Sequence, residues 1–190
     1  MQLLHDRPDR IDVNGARAIR LAIAVAMVVA TGFVTASALA TSRSERSLPS
    51  LNRQVLAAVN RFRVAHGLVA LRESSALDRS ARRHSLEMGR LGYFGHASAD
   101  GTAFWLRIRH YYGSGHFAYW SVGENLLWAS PSVSPGGAMK MWIESPEHLA
   151  NLRSTRWRQI GVSVVRAVSA PGVFHGMRVM IITTDFGVRR

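Results

Sequence analysis

The chain has 190 residues, 24 Lys and Arg against 12 Asp and Glu for a net charge of +12, and no cysteine. This excludes disulfide frameworks, thiol catalysis and cysteine metal sites, and leaves packing alone to hold the fold. Four Arg and three Asp lie in the first 40 residues, so the remainder keeps +11 and suits anionic partners.

Residues 21–40 (LAIAVAMVVATGFVTASALA) are uncharged and almost wholly apolar, follow Arg7, Arg10, Arg17 and Arg20, and close on Ala38-Leu39-Ala40. This is the pattern of a secretory signal peptide cleaved after Ala40, and the run is also long enough for a retained membrane anchor. Either way the positive-inside tendency places the rest outside the cytoplasm, where nucleic acid is not an expected partner. Residues 41–49 (TSRSERSLP) read as a linker, and 50–190 as one domain.

Within the domain, Leu51, Val55, Val59, Phe62 and Ala65 recur at helical spacing, with Gly67 suited to a left-handed cap. A second helix is expected over 76–91, capped by Ser75 with Asp78, and a third over 102–111. His84 and Glu87 fall on the polar side of the second helix and are expected in solvent. A strand starts at Trp120, a short helix covers 138–144, and Ser145-Pro146 opens another. The Val- and Ile-rich stretches 160–168 and 178–185, joined by a Pro-Gly loop, form an antiparallel hairpin. Leading helices, closing strands and no βαβ alternation give an α+β fold.

Four polar segments stand at element ends, where functional side chains collect: Phe94-Gly95-His96, Gly123-Glu124-Asn125, Trp142 to His148 and Ile160-Gly161-Val162. There is no GxSxG for a serine nucleophile near Ser98 or Ser145, and no HExxH for a compact zinc site. His110, His116 and His175 sit in or near loops without an acidic neighbour in sequence. The five Trp residues are expected mostly as core or rim anchors.

In their order these segments resemble the CAP superfamily, the cysteine-rich secretory, antigen 5 and pathogenesis-related proteins, and within it the bacterial SCP-like branch. Asn60 with Arg63, His66-Gly67-Leu68, Asp100-Gly101, Asn151-Leu152 and Asp185-Phe186-Gly187 extend the likeness from Leu51 to Phe186. The resemblance implies a three-layer α–β–α sandwich around a mostly antiparallel sheet, with a cleft of two His and two acidic residues. His96, Glu124 and His148 fall on three of those positions, with Asn125, Trp142 and Ser145 as cleft neighbours. The fourth position, a Glu three residues after a helical Trp in animal and plant members, is Ser145 here, and Glu144 lies one residue earlier.

Two imidazoles and a carboxylate can hold Zn²⁺ or another divalent ion, act as general acid and base without a metal, or form a structural polar network. The leading reading is a binding domain of the cell envelope, for a lipid, a metal or a wall polymer. Its rivals are a hydrolase of peptide or wall substrates using the same trio, and an interaction protein using its basic surface.

Overall fold

The computed structural model describes residues 45–190, so the signal or anchor segment lies outside the described residues. Among the described residues five α-helices and five strands alternate irregularly: β1 (Glu45–Ser47), α1 (Pro49–Ala65), β2 (Arg72–Glu73), α2 (Ser75–Leu91), α3 (Phe104–Tyr111), β3 (Trp120–Ala129), α4 (Pro135–Glu144), α5 (Pro146–Arg153), β4 (Gln159–Ala167) and β5 (Val179–Arg189). The strands form one sheet in the order β1-β4-β5-β3, antiparallel throughout, with β2 added in parallel to β4. Among the described residues no helix is long and apolar enough to cross a membrane.

The sheet is buried on both faces, which is why β4 and β5 read as nearly continuous apolar runs. Alternate residues supply two cores. Ile160, Val162, Val164, Ile182 and Phe186 face α1, α4 and α5, where Trp142 and Trp157 complete the larger core. Ala167, Val179 and Ile181 pack with Met88 of α2 on the opposite face, and Leu77 with Ile108 and Tyr112 joins α2 to α3. The result is the three-layer sandwich.

The expected linker is corrected by the structure. Glu45, Arg46 and Ser47 pair with Ala167, Arg166 and Val165, so the domain begins before residue 50. A three-residue strand with no alternation to read is invisible in sequence, because β4 supplies its reason to be extended. The gap between β1 and β2 on this side of β4 is closed by side chains. Asn52 Oδ1 accepts from Val164 N and Asp78 Oδ1 from Val162 N, both at 2.8 Å. Asp78 is thus a sheet-edge acceptor rather than part of a helix cap, and Ser75 is the first helical residue, not the cap. Burial pushes the Asp78 carboxyl up to about 6, against the lowering effect of the Val162 N–H.

Gly161 is fixed by the closest approach of α2 to the sheet, since a Cβ there would lie 2.1 Å from the Leu77 carbonyl carbon and 2.3 Å from Asp78 N. Backbone cannot yield as a side chain tip can. Gly161→Ala is expected to destabilise the domain by about 3 kcal/mol or more, read as a lower midpoint in urea unfolding with an unchanged slope.

Candidate functional site

The site lies on β3, the strand that ends the sheet, between α3, the segment after α2, and α5. The Gly123-Glu124-Asn125 segment sends its side chains to opposite faces, and each residue type has a local reason. A Cβ on Gly123 would meet Trp157 at 2.8 Å and Asn151 Oδ1 at 2.9 Å. Asn125 donates through Nδ2 to the His148 carbonyl at 3.0 Å and accepts from Asn151 Nδ2 at 2.8 Å. Asn151 also donates to the Glu124 carbonyl at 3.1 Å, and Trp142 Nε1 donates to the Leu126 carbonyl at 3.1 Å. These two side chains occupy carbonyls on the unpaired edge of β3 and lock α4 and α5 against it.

Glu124 points to the α2–α3 face and is buried. One carboxylate oxygen accepts from His96 Nδ1 at 2.8 Å, and the other is held by the Arg107 guanidinium. Arg107 is itself nearly buried and also donates to the His96 carbonyl at 2.9 Å and to Ser98 Oγ at 3.2 Å. Burial alone would raise the Glu124 carboxyl, but the His96 hydrogen bond and the Arg107 charge outweigh it and hold it below its ordinary value. The His96 ring remains half exposed, and its Nε2 is not engaged by any described residue. His148 lines the same cleft, and burial, then the nearby His96, lower its pKa. The cleft has a volume of about 390 Å³, and Phe104, Glu147, Arg156 and Trp157 complete its mouth.

His96, Glu124 and His148 therefore share one cleft, although only the first two are in contact. Of the expected neighbours, Asn125 holds α5, Trp142 is wholly buried in the core, and Ser145 lines an adjoining apolar hollow with His148 and Phe94. Ser145 is extended between two helices because Pro146 disfavours helical backbone before it. Glu144 points to solvent toward Lys140 at 3.8 Å. The second acid at the cleft is Glu147, which nothing in the sequence pattern singled out.

A three-ligand metal centre does not fit this donor set. Both Glu124 oxygens are committed, one of them to a cation, and among the described residues no three His, Asp or Glu side chains converge as a ligand group. The two imidazoles fall short of the three protein ligands of an open zinc site.

The expectation that His84 and Glu87 are solvated is also corrected. His84 is fully buried, donates from Nε2 to the Gly95 carbonyl at 2.9 Å, and lies 3.4 Å from the Tyr93 hydroxyl. Glu87 accepts from that hydroxyl at 2.9 Å. The segment after Gly92 folds back over this side of α2, so a face that looks polar in sequence is covered. Beneath Glu124, Asp185 is its cross-strand neighbour and wholly buried. Burial and the adjacent Glu124 charge raise its pKa well above the ordinary value, favouring the neutral acid.

Two outcomes follow. Arg107→Leu strands the Glu124 charge and is expected to cost about 3–5 kcal/mol; adding Glu124→Gln should recover much of the loss in a double-mutant denaturation cycle. Burial depresses His84 to about 4 from 6.5. The stability tied to neutral His84 is complete above about pH 6.5 and is lost as pH falls toward 4. His84→Gln should flatten the fall in melting temperature across that window.

Comparison with known proteins agrees with this architecture. Residues 56–174 match the model of the cysteine-rich secretory protein family, CAP. An uncharacterized membrane protein of Bacillus subtilis is 30% identical over 114 residues, covering 60% of this chain and 31% of that protein; the chain thus spans about a third of that relative's length. An outer surface protein of Borrelia burgdorferi superposes with a TM-score of 0.62 at 18% identity, covering 76% of this chain and 98% of that one. An extracellular SCP-domain protein of Bacillus anthracis gives 0.57 at 23% identity, covering 75% and 41%. With the family match running through the helices and strands that build the cleft, the chain belongs to the CAP, cysteine-rich secretory protein, family.

Proposed function

We propose that this is an exported CAP domain that binds a polar ligand of the cell envelope in the cleft between His96 and His148. The observation that carries the reading is the Arg107–Glu124–His96 chain. It fixes a half-exposed imidazole by its inner nitrogen and leaves the outer one free at a cleft mouth. Such an imidazole can donate to or accept from a ligand, and His148 and Arg156 add donors beside it. Phe104 and Trp157 supply apolar faces, a mixture that suits a wall polymer of sugars and short peptides better than a bare acyl chain. Extracellular location is supported by the basic, apolar leader in sequence and by the extracellular protein of Bacillus anthracis with the same fold.

The same dyad favours a second reading, in which His96, oriented by Glu124, acts as a general base on water for hydrolysis of a wall peptide or glycan. Titration with soluble peptidoglycan fragments separates the two. For the binding reading, His96→Ala should weaken binding at least about tenfold, roughly 1.4 kcal/mol, measured well below a melting temperature that falls with the loss of the Glu124 hydrogen bond, about 1–3 kcal/mol. Release of new reducing ends or free amines by the wild type, lost in His96→Ala, would establish the hydrolase. Absence of any fragment binding to the wild type would overturn the wall-polymer assignment.

A further inference from the structure

One end of the sheet gathers arginines on a single face. Arg46 lies directly opposite Arg166 in the β1–β4 pairing, and Arg166 is in turn opposite Met180, two residues beyond Arg178. Like charges set opposite one another are unfavourable, yet none of the three makes an ion pair among the described residues. Glu45 offers no relief, since it packs on the opposite face against Gly89, where Arg90 is its charged neighbour. Arg166 and Arg178 line an open hollow of about 370 Å³ with Val168, Pro131 and Ser132. On the same β4–β5 connection Val168 is 51% exposed. An unpaired basic cluster with an exposed aliphatic side chain in its midst matches a surface that presents phosphates above hydrocarbon.

Chain connectivity says which surface that is. The apolar run ends at Ala40, and only residues 41–44 separate it from Glu45. Where residues 21–40 are retained as a membrane anchor, five Cα steps span at most roughly 18 Å, and the arginine-bearing end is where that segment joins the domain. We infer that this face, Arg46, Arg166 and Arg178 with Val168, docks on an anionic lipid headgroup surface. The contact is independent of the cleft, because Glu124 is five residues along β3 from Ala129, roughly 17 Å at strand rise. A soluble anionic wall polymer would satisfy the arginines and leave Val168 without a role.

The absence of cysteine makes a direct test simple. The full chain, with Val168→Cys or Ser114→Cys carrying an environment-sensitive fluorophore, is reconstituted in vesicles containing a headgroup-linked quencher. Ser114 is exposed in the loop between α3 and β3. The label at 168 is expected to be quenched in phosphatidylglycerol-containing vesicles several-fold more than in phosphatidylcholine, and the label at 114 in neither. Each basic side chain near such a surface strengthens binding about fivefold, so R46S/R166S/R178S should abolish the difference, and Arg178→Ser alone should reduce it. Equal quenching at both labels, no lipid dependence, or no effect of Arg178→Ser would overturn the inference. So would arginine-dependent binding of soluble polyglycerol phosphate with no vesicle contact, which would assign the face to a wall polymer.

Discussion

An edge strand exposes backbone carbonyls and amides that must be covered or left to water, and in this fold the covering of β3 is what builds the cleft. Asn151 and Trp142 take the carbonyls of Glu124 and Leu126. To do so, α4 and α5 must lie along the strand edge, which brings His148 to the rim opposite His96. The same requirement makes residue 123 a glycine, because Asn151 and Trp157 close over it. The sheet's other flank is handled alike, with Asn52 and Asp78 filling the gap between two very short strands. Position 124 is thereby committed to the opposite face, where its charge needs a partner.

Arg107 is that partner, and it governs what the trio can do chemically. A carboxylate bound to a buried guanidinium and to one imidazole is a fixed anion, not a free metal ligand. It orients His96 and leaves the outer nitrogen for external chemistry. In the pocket beneath, the Arg107 charge favours ionised Glu124, burial and the Glu124 charge favour neutral Asp185, and burial favours neutral His84. The linkages of the two neutral groups run in opposite directions. Neutral Asp185 contributes stability that is complete below its unfolded value of about 3.8 and is lost as pH rises through its folded value. Neutral His84 contributes stability that is lost as pH falls from about 6.5 toward 4.

Much of this was legible in the sequence, and the remainder was hidden for identifiable reasons. Helical and strand periodicity carried the α+β class and the β4–β5 hairpin, because both faces of those strands are buried and leave long apolar runs. The family likeness, not spacing, placed His96, Glu124 and His148 together, and they do share a cleft. Arg107 escaped notice because an arginine on an exposed-looking amphipathic helix has no local signal for burial; its partners are 11 and 17 residues away. His84 was misplaced by the same logic, since periodicity shows a polar face but not the segment that folds over it. Strand β1 was read as linker because three residues without alternation owe their shape to β4 alone. Glu147 carries no signal of its own in sequence, because the family position for the second acid, three residues after Trp142, falls on Ser145.

The net +11 that follows the apolar leader bears on function only through where it sits. At the cleft, Arg107 is cancelled by Glu124, and the rim carries one acid, Glu147, and one base, Arg156, so recognition there depends on hydrogen-bond geometry rather than on an excess of charge. At the β1–β4 end the arginines have no acid to cancel them, and the field projects outward. Screening separates the two, because contacts in a partly buried cleft are little affected by ionic strength while exposed charges lose their reach beyond a Debye length of about 8 Å in physiological salt. The basic residues are spread along the domain, but the uncancelled cluster of Arg46, Arg166 and Arg178 belongs to one end of its sheet, while the specificity of its cleft is a property of the buried chain from Arg107 through Glu124 to His96.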